Sequence, residues 1–227
     1  NCINVGWINE ACRAQGIRIA AYHCWKTHFN DIDTEVMRVQ RVDRCRAQID
    51  TMLEVGAHLW GSHAAEPVTV MAKSFEELAR HAEGTEAVIT VENFKTNTPG
   101  ACRVEERVQF LDGIDLPYVG LILDVGHVLD SDGVNPMTVP GGPTRVLELC
   151  GHRLRHVHLH GFKEGRDHFP PLTAGDQIQW AELFEGLQRI GYEGVFNFEP
   201  RGFPWHDDSI ERTGRAPAAI ANLLSKA

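Results

Sequence analysis

The chain has 227 residues, of which 43% are hydrophobic and 23% are charged, and these values favour one soluble domain over residues 1–227. A formal net charge of −9 at pH 7 argues against nucleic acid as a partner, because such proteins neutralise many phosphates. No apolar run reaches the roughly 18 residues that a membrane span needs. The six cysteines include no C-x-x-C pair, which argues against a zinc ribbon or a disulfide framework and favours a reducing cytoplasm. Because the first residue is not methionine, we expect the natural beginning to be missing.

Helices and strands alternate along the chain. Apolar residues recur at helical spacing in seven segments, at 8–15, 34–55, 75–82, 104–111, 143–150, 180–190 and 208–224. Runs rich in β-branched and apolar residues predict six strands, at 17–22, 57–61, 87–91, 118–123, 154–160 and 194–198. The segment from 161 to 179 is punctuated by glycine and proline and is predicted as a charged loop.

This alternation, at about 30–40 residues per unit, is typical of βαβ units around a parallel sheet. We therefore predict an α/β fold, a (β/α)₈ TIM barrel that lacks or does not show its first one or two βα units. Residues 2–7 are interpreted as the remnant of one missing strand. An open doubly wound sheet is the alternative, but the chain has neither a glycine fingerprint nor a P-loop. Exposed sheet edges would be covered by loops or by another chain, as in a homo-oligomer.

Each predicted strand carries, towards or just after its carboxyl end, a side chain that can bind a metal ion. These residues are His23, His63, Glu92, Asp124 with His127 three residues on, His158 and Glu199. Because the carboxyl ends of parallel strands in a barrel lie on one face, these side chains should converge there. Carboxylates and imidazoles without thiolates suit Mn²⁺, Mg²⁺, Co²⁺ or Zn²⁺.

Structural roles are the alternative for several of these residues. Asp124 could cap the following segment, and His23 and His63 could be hydrogen-bonded pocket histidines. His156 and His160 flank His158 on the same face of the strand and are interpreted as supporting residues.

Five short motifs, in this order, are VITVENF, LILDVGH, HVHLHG, RDHFPPLTAGDQIQW and VFNFEP. The series resembles the xylose isomerase-like TIM-barrel superfamily, which includes sugar and sugar-phosphate isomerases and epimerases, inosose-type dehydratases and endonuclease IV. The resemblance covers about residues 17–225.

The resemblance implies roles for the residues that match these motifs. It makes Glu92, Asp124, His158 and Glu199 the metal ligands, with Glu92 and Glu199 also the catalytic acid/base pair. It also implies that His127 and Arg166 bind oxygen atoms of the substrate. His23 and His63 match additional zinc ligands of endonuclease IV-like members, and Asp167 and His168 approximate a third-metal pair. In the family one residue separates that pair, whereas here the two residues are adjacent.

The expected function is therefore a divalent-metal-dependent sugar or sugar-phosphate isomerase or epimerase, which acts on a small carbohydrate-like substrate. It would transfer a proton next to a carbonyl through a metal-stabilised enediolate. The alternative is an endonuclease IV-like multi-zinc phosphoesterase or hydrolase, which the number of histidines favours and the acidic charge opposes. A third interpretation is a barrel-like binding protein without an active site. A cupin-like spacing of His158, His160 and Glu164 is set aside, because cupins are all-β.

Overall fold

The computed structural model describes residues 5–24, 32–63, 68–93, 103–199 and 208–225. The helices are α1 (Val5–Ala14), α2 (Glu35–Glu54), α3 (Val68–Ala82), α4 (Val104–Ile114), α5 (Gly142–Cys150), α6 (Trp180–Arg189) and α7 (Asp208–Leu224). The strands are β1 (Ala21–His23), β2 (Leu59–His63), β3 (Val88–Glu92), β4 (Val119–Asp124), β5 (Leu154–Leu159), β6 (Gly161–Lys163), β7 (Arg166–Phe169) and β8 (Val195–Phe198). Within these residues, no helix is both long enough and apolar enough to cross a membrane.

Six strands form one sheet in the order β1-β2-β3-β4-β5-β8. The pairings β1–β2, β2–β3, β4–β5 and β5–β8 are parallel, with a helix in each connection, as the sequence predicts. The register places His63 opposite Glu92, and Asp124 opposite His158. Chemically active side chains of neighbouring strands are therefore level with one another.

The chain divides into two compact units. The first contains residues 1–92 and 110–120, and the second contains residues 93–109 and 121–227. The first unit thus holds the ends of β1, β2 and β3, and the second holds the ends of β4, β5 and β8. The prediction of a single domain over residues 1–227 stays a prediction.

The structure corrects three predicted elements. Residues 5–7 begin helix α1, so they are not the remnant of a strand, and residues 2–4 lie outside the described residues. Strand β1 is three residues long rather than six. The predicted loop after β5 contains an antiparallel hairpin, β6–β7, which makes Asp167 and His168 strand residues.

Helix α2 shows why the helical predictions succeed. Its buried residues follow spacings of four and three, so they form one stripe: Arg38, Val42, Cys45, Ile49 and Met52. Thr34 caps its beginning, since the hydroxyl accepts a hydrogen bond from the amide of Met37 at 3.2 Å. Gly56, at φ +78°, turns the chain away after the last turn.

A charged residue in this stripe joins α2 to α3. The Arg38 side chain is 3% exposed and contacts Glu35 at 2.8 Å and Glu77 at 2.6 Å, and it donates to Ser74 at 3.3 Å. Hydrogen bonds from Arg38 and Lys73 lower the pKa of Glu35 to about 2. The guanidinium therefore satisfies three acceptors along the contact between the two helices.

We predict that Arg38→Met lowers the free energy of unfolding by about 1–3 kcal/mol, because it leaves the half-buried Glu77 carboxylate without its closest cation. Arg46→Met is the matched control: Arg46 also contacts Glu77, at 3.5 Å, but it is 34% exposed. Its loss should cost less than about 1 kcal/mol. Urea unfolding of the two variants measures the difference, and equal losses would contradict the role given to Arg38.

Candidate functional site

The first unit gathers two histidines around one buried carboxylate. Nε2 of His23 lies 2.9 Å from Oε2 of Glu92, and Nε2 of His63 lies 3.7 Å from the same oxygen. Glu92 is 1% exposed, whereas His23 is 29% exposed. One ligand atom from each residue lies within 4.8 Å of the other two, so this group could hold a cation. The side chains at the ends of β1, β2 and β3 thus lie close together, and their use as metal ligands stays a prediction.

The second unit gathers Asp124, His158 and Glu199 at the ends of β4, β5 and β8. Nδ1 of His158 lies 3.0 Å from Oε2 of Glu199 and 3.8 Å from Oδ2 of Asp124. Asp124 and His158 are buried, at 0% and 2% exposure, while the Glu199 side chain is 30% exposed. The structure thus brings together three of the four predicted metal ligands within this unit. The prediction that Glu92 shares their ion stays a prediction.

The spacing of these atoms can be compared with that around an ion. Two ligands about 2.1 Å from one cation are separated by about 3.0 Å in octahedral and about 3.4 Å in tetrahedral geometry. The distances of 3.0 and 3.8 Å from His158 lie close to these values. With one imidazole and two carboxylates, the donor set suits a hard or borderline divalent cation.

The two oxygens of Asp124 have different surroundings. Oδ1 accepts hydrogen bonds from the amides of Gly126 and His127, at 2.9 and 3.0 Å, and it lies 2.8 Å from Nε2 of His160. Oδ2 faces Nδ1 of His127 at 3.4 Å and Nδ1 of His158 at 3.8 Å. The capping role considered from the sequence is present, but it caps a turn and uses one oxygen only. The other oxygen lies towards the two histidines.

His127, Asp167 and His168 also meet in this unit, although Asp167 and His168 are adjacent in sequence. Nε2 of His127 lies 3.2 Å from Nε2 of His168 and 3.6 Å from Oδ2 of Asp167. Neighbouring strand residues normally point to opposite faces. His168 has φ +60°, which interrupts this alternation in β7 and accounts for the shared direction.

The hydrogen bonds of His168 define its protonation. Burial, and then the neighbouring His160 ring, lower the pKa of His168. Its neutral ring lies with Nδ1 2.8 Å from the carbonyl oxygen of Glu199, which can only accept, so Nδ1 carries the proton. Nε2 of His168 then accepts a hydrogen bond from His127. This chain of contacts ties the hairpin to the backbone of Glu199.

His160 is fully buried and uses both ring nitrogens. The amide of His168 donates to Nδ1 at 2.8 Å, which leaves the ring proton on Nε2 to bond Asp124. Burial lowers the pKa of His160, but the carboxylate of Asp124 and the carbonyl of Gly161 raise it, and the net shift is upward. Although His127, His160 and His168 are close enough to hold a cation, the engaged nitrogens of His160 argue against it as a ligand.

Arg166 lies apart from these contacts. Its side chain is 72% exposed, 3.9 Å from Glu164, and its guanidinium lies 5.8 Å from the centre of the Phe169 ring. The assignment of Arg166 to substrate oxygens stays a prediction.

Two residues that support the site were not predicted from the sequence. Asn93 clamps the backbone of Asp124: its amide group donates to the carbonyl oxygen at 3.0 Å and accepts from the N–H at 2.7 Å. Asp176 anchors the hairpin region by accepting from the amides of Phe162 and Leu172 and from the Trp180 indole. The position of Asn93, directly after a strand that ends in a site residue, is the signal that could have identified it.

A model of the xylose isomerase-like TIM-barrel family matches residues 7–223. The chain belongs to this family. The fold class inferred from the sequence is therefore confirmed, and six parallel strands of the barrel lie among the described residues.

Relatives with known sequence or structure extend this finding. A protein of Methanocaldococcus jannaschii described as uncharacterised is 27% identical over 143 residues, which are 62% of this chain and 46% of that protein. The match thus spans about half the length of that relative.

Three solved structures resemble the chain across almost its full length. A D-tagatose 3-epimerase-like protein has a TM-score of 0.79 at 19% identity and covers 98% of this chain and 84% of its own. The E. coli 3-keto-D-glucoside 4-epimerase YcjR has a TM-score of 0.76 at 16% identity, and the match covers 96% of this chain and 84% of that chain. An IolI protein with a bound zinc atom has a TM-score of 0.78 at 16% identity, and the match covers 99% of this chain and 82% of that chain. At these identities the likeness concerns the fold.

We predict that Asn93→Leu lowers the free energy of unfolding by about 2–4 kcal/mol, because it leaves the buried N–H and C=O of Asp124 without the Asn93 partner. Asn222→Leu, on the exposed side of α7, is the matched control and should change it by about 0.5 kcal/mol or less. Urea unfolding measures both, and an equal effect would contradict the clamp.

Proposed function

We propose that this protein is a divalent-metal-dependent sugar or sugar-phosphate isomerase or epimerase. The observation that carries the proposal is the meeting of Asp124, His158 and Glu199 at the carboxyl ends of β4, β5 and β8, with ligand atoms 3.0 and 3.8 Å apart. Catalytic residues in TIM barrels lie at this end of the strands. The similar structures include proteins named as sugar epimerases, and the IolI structure is described with a bound zinc atom.

The different burial of the three residues suggests different roles for them. Asp124 and His158 are almost fully buried, so in this proposal they hold the ion. Glu199 is the most exposed of the three and can meet a substrate as well. The proposal retains Glu92 as the fourth ligand and second acid/base group, on the basis of the sequence resemblance alone. A bound divalent cation, Mn²⁺, Mg²⁺, Co²⁺ or Zn²⁺, would polarise the carbonyl oxygen of the substrate.

Proton transfer is then the task of the protein. The carboxylate of Glu199 would take the proton from the carbon next to the carbonyl, and the partner carboxylate would return one to the opposite face. On substrate binding, the Nε2 proton of His127, which bonds His168 in this structure, would turn to a substrate oxygen. The proposed substrate is a small carbohydrate, and the proposed location is a reducing cytoplasm, because the sequence has no C-x-x-C pair.

We predict that Glu199→Gln lowers solvent-deuterium incorporation at the substrate carbon by about 10²–10⁴-fold, because the amide cannot accept the proton. Proton NMR in D₂O would follow a panel of ketohexoses that includes D-tagatose and D-allulose, with Mn²⁺ present.

The matched control is Glu193→Gln. Glu193 is exposed and precedes β8, at the opposite end of the strand from Glu199. The Glu193→Gln variant should therefore incorporate deuterium at the substrate carbon as fast as the unaltered protein. Undiminished exchange in Glu199→Gln would refute the proposed role of Glu199. No exchange with any sugar in the panel, in the unaltered protein with metal bound, would count against this substrate class.

A second candidate function is a multi-zinc phosphoesterase of the endonuclease IV type. It is favoured by the grouping of His23 and His63 with Glu92, and of His127 with Asp167 and His168, which offers further metal positions. Metal analysis of the protein purified from zinc-supplemented cells distinguishes the two. One ion per chain is expected for the isomerase, whereas two or three zinc ions with hydrolysis of bis(p-nitrophenyl) phosphate would favour the hydrolase.

A further inference from the structure

We propose that His160 is a positioning residue that fixes two of the metal ligands, Asp124 directly and Glu199 through His168. This inference rests on the proposed function, since it concerns the same metal centre. The sequence interpretation gave His160 a general supporting role, and the geometry assigns it a defined one.

The contact with Asp124 determines how that carboxylate is turned. Nε2 of His160 lies 2.8 Å from Oδ1, which also accepts from the amides of Gly126 and His127. Three donors on Oδ1 fix the plane of the carboxylate and direct Oδ2 towards His158. Without the His160 donor, rotation about the Cβ–Cγ bond would become easier, and the ligand oxygen would be less well placed.

The contact with Glu199 runs through the hairpin. Nδ1 of His160 accepts the amide proton of His168 at 2.8 Å, and the two rings stack with centroids 4.1 Å apart. This bond supports the positive φ of His168, which a residue with a Cβ rarely adopts. Nδ1 of His168 in turn donates to the carbonyl oxygen of Glu199 at 2.8 Å. A second restraint on Glu199 comes from its own amide, which donates to Leu159 at 3.1 Å.

The surroundings of His160 leave little room for another ring position. His160 is 0% exposed, and a Cβ added at Gly126 would lie 2.0 Å from Cε1 of His160. Gly126 is therefore the residue that lets the ring lie against the turn after β4. A fully buried imidazole with both nitrogens committed to neighbouring site residues is expected to act through orientation rather than by touching substrate.

Two substitutions separate the two contacts. Gln carries an amide nitrogen near the position of Nε2, so His160→Gln keeps the donor to Asp124 and loses the acceptor for His168. Asn carries an oxygen near the position of Nδ1, so His160→Asn keeps the acceptor and loses the donor. Isothermal titration calorimetry with Mn²⁺ measures the effect on the metal centre, and hydrogen exchange measures protection of the His168 amide.

We expect His160→Asn to weaken Mn²⁺ binding by about 10–100-fold while the His168 amide stays protected. We expect His160→Gln to weaken Mn²⁺ binding by no more than about threefold, because the bond from the Glu199 amide to Leu159 still restrains Glu199, while the His168 amide exchanges faster. A residue that merely fills space would weaken binding equally in both variants, and that result would overturn the inference.

Gly126→Ala provides an independent test that leaves His160 in place, in case His160→Asn does not fold. The added methyl group must displace the His160 ring, so Mn²⁺ binding should weaken at least about tenfold. Gly113→Ala is the matched control, because a Cβ there meets nothing within 4 Å, and its Mn²⁺ affinity should be unchanged. Unchanged affinity in Gly126→Ala would overturn the inference.

The outcome for the unaltered protein separates this inference from the proposed function. If the unaltered protein binds Mn²⁺ and His160→Asn binds it equally well, only the role of His160 is refuted. If the unaltered protein does not bind Mn²⁺ at all, the metal-dependent function is refuted and the inference with it.

Discussion

The carboxylate of Asp124 is the group on which the rest of the candidate site depends. One oxygen belongs to the fold, since it accepts from two backbone amides and from His160, and the other faces His127 and His158. A buried carboxylate is costly unless donors or cations surround it. The donors to Oδ1 are the two amides of the turn after β4 and the ring of His160. On the other side the neighbours are imidazoles, which can bind a metal ion as well as donate a hydrogen bond.

The elements around Asp124 each restrict one part of it. Asn93 holds its backbone through two reciprocal hydrogen bonds, and parallel pairing with β5 places His158 opposite it. The β6–β7 hairpin contributes from a different direction, because it brings His168 to both His127 and the carbonyl of Glu199. Asp176 keeps that hairpin region in place with hydrogen bonds to backbone amides. The positions of the site residues at the strand ends thus depend on contacts with the hairpin, a segment that the sequence patterns predict only as a loop.

Much of the fold follows from local sequence. The buried stripe of α2 has helical spacing, Thr34 and Gly56 mark its two ends, and apolar runs locate β3, β4 and β5 to within about two residues. The residues at the strand ends could be predicted for the same reason, since parallel strands place their carboxyl ends on one side.

The hairpin was harder to predict from the sequence, because its turn is formed by Glu164 and Gly165. Both residues have positive φ, as a two-residue turn of this type requires, but Asn-Gly or Asp-Gly is the usual sequence. The φ of His168 and the two hydrogen bonds of His160 depend on partners from other segments. No periodicity within the chain encodes them, so the role of His160 emerged only from the three-dimensional contacts.

The most direct test of a metal centre at Asp124 is anomalous diffraction from crystals of the protein grown with Mn²⁺. We expect a peak with Oδ2 of Asp124, Nδ1 of His158 and a carboxylate oxygen of Glu199 at roughly 2.0–2.3 Å, the range of protein ligands to such ions. A peak found only beside His127 and His168, or no peak near Asp124, would contradict the account.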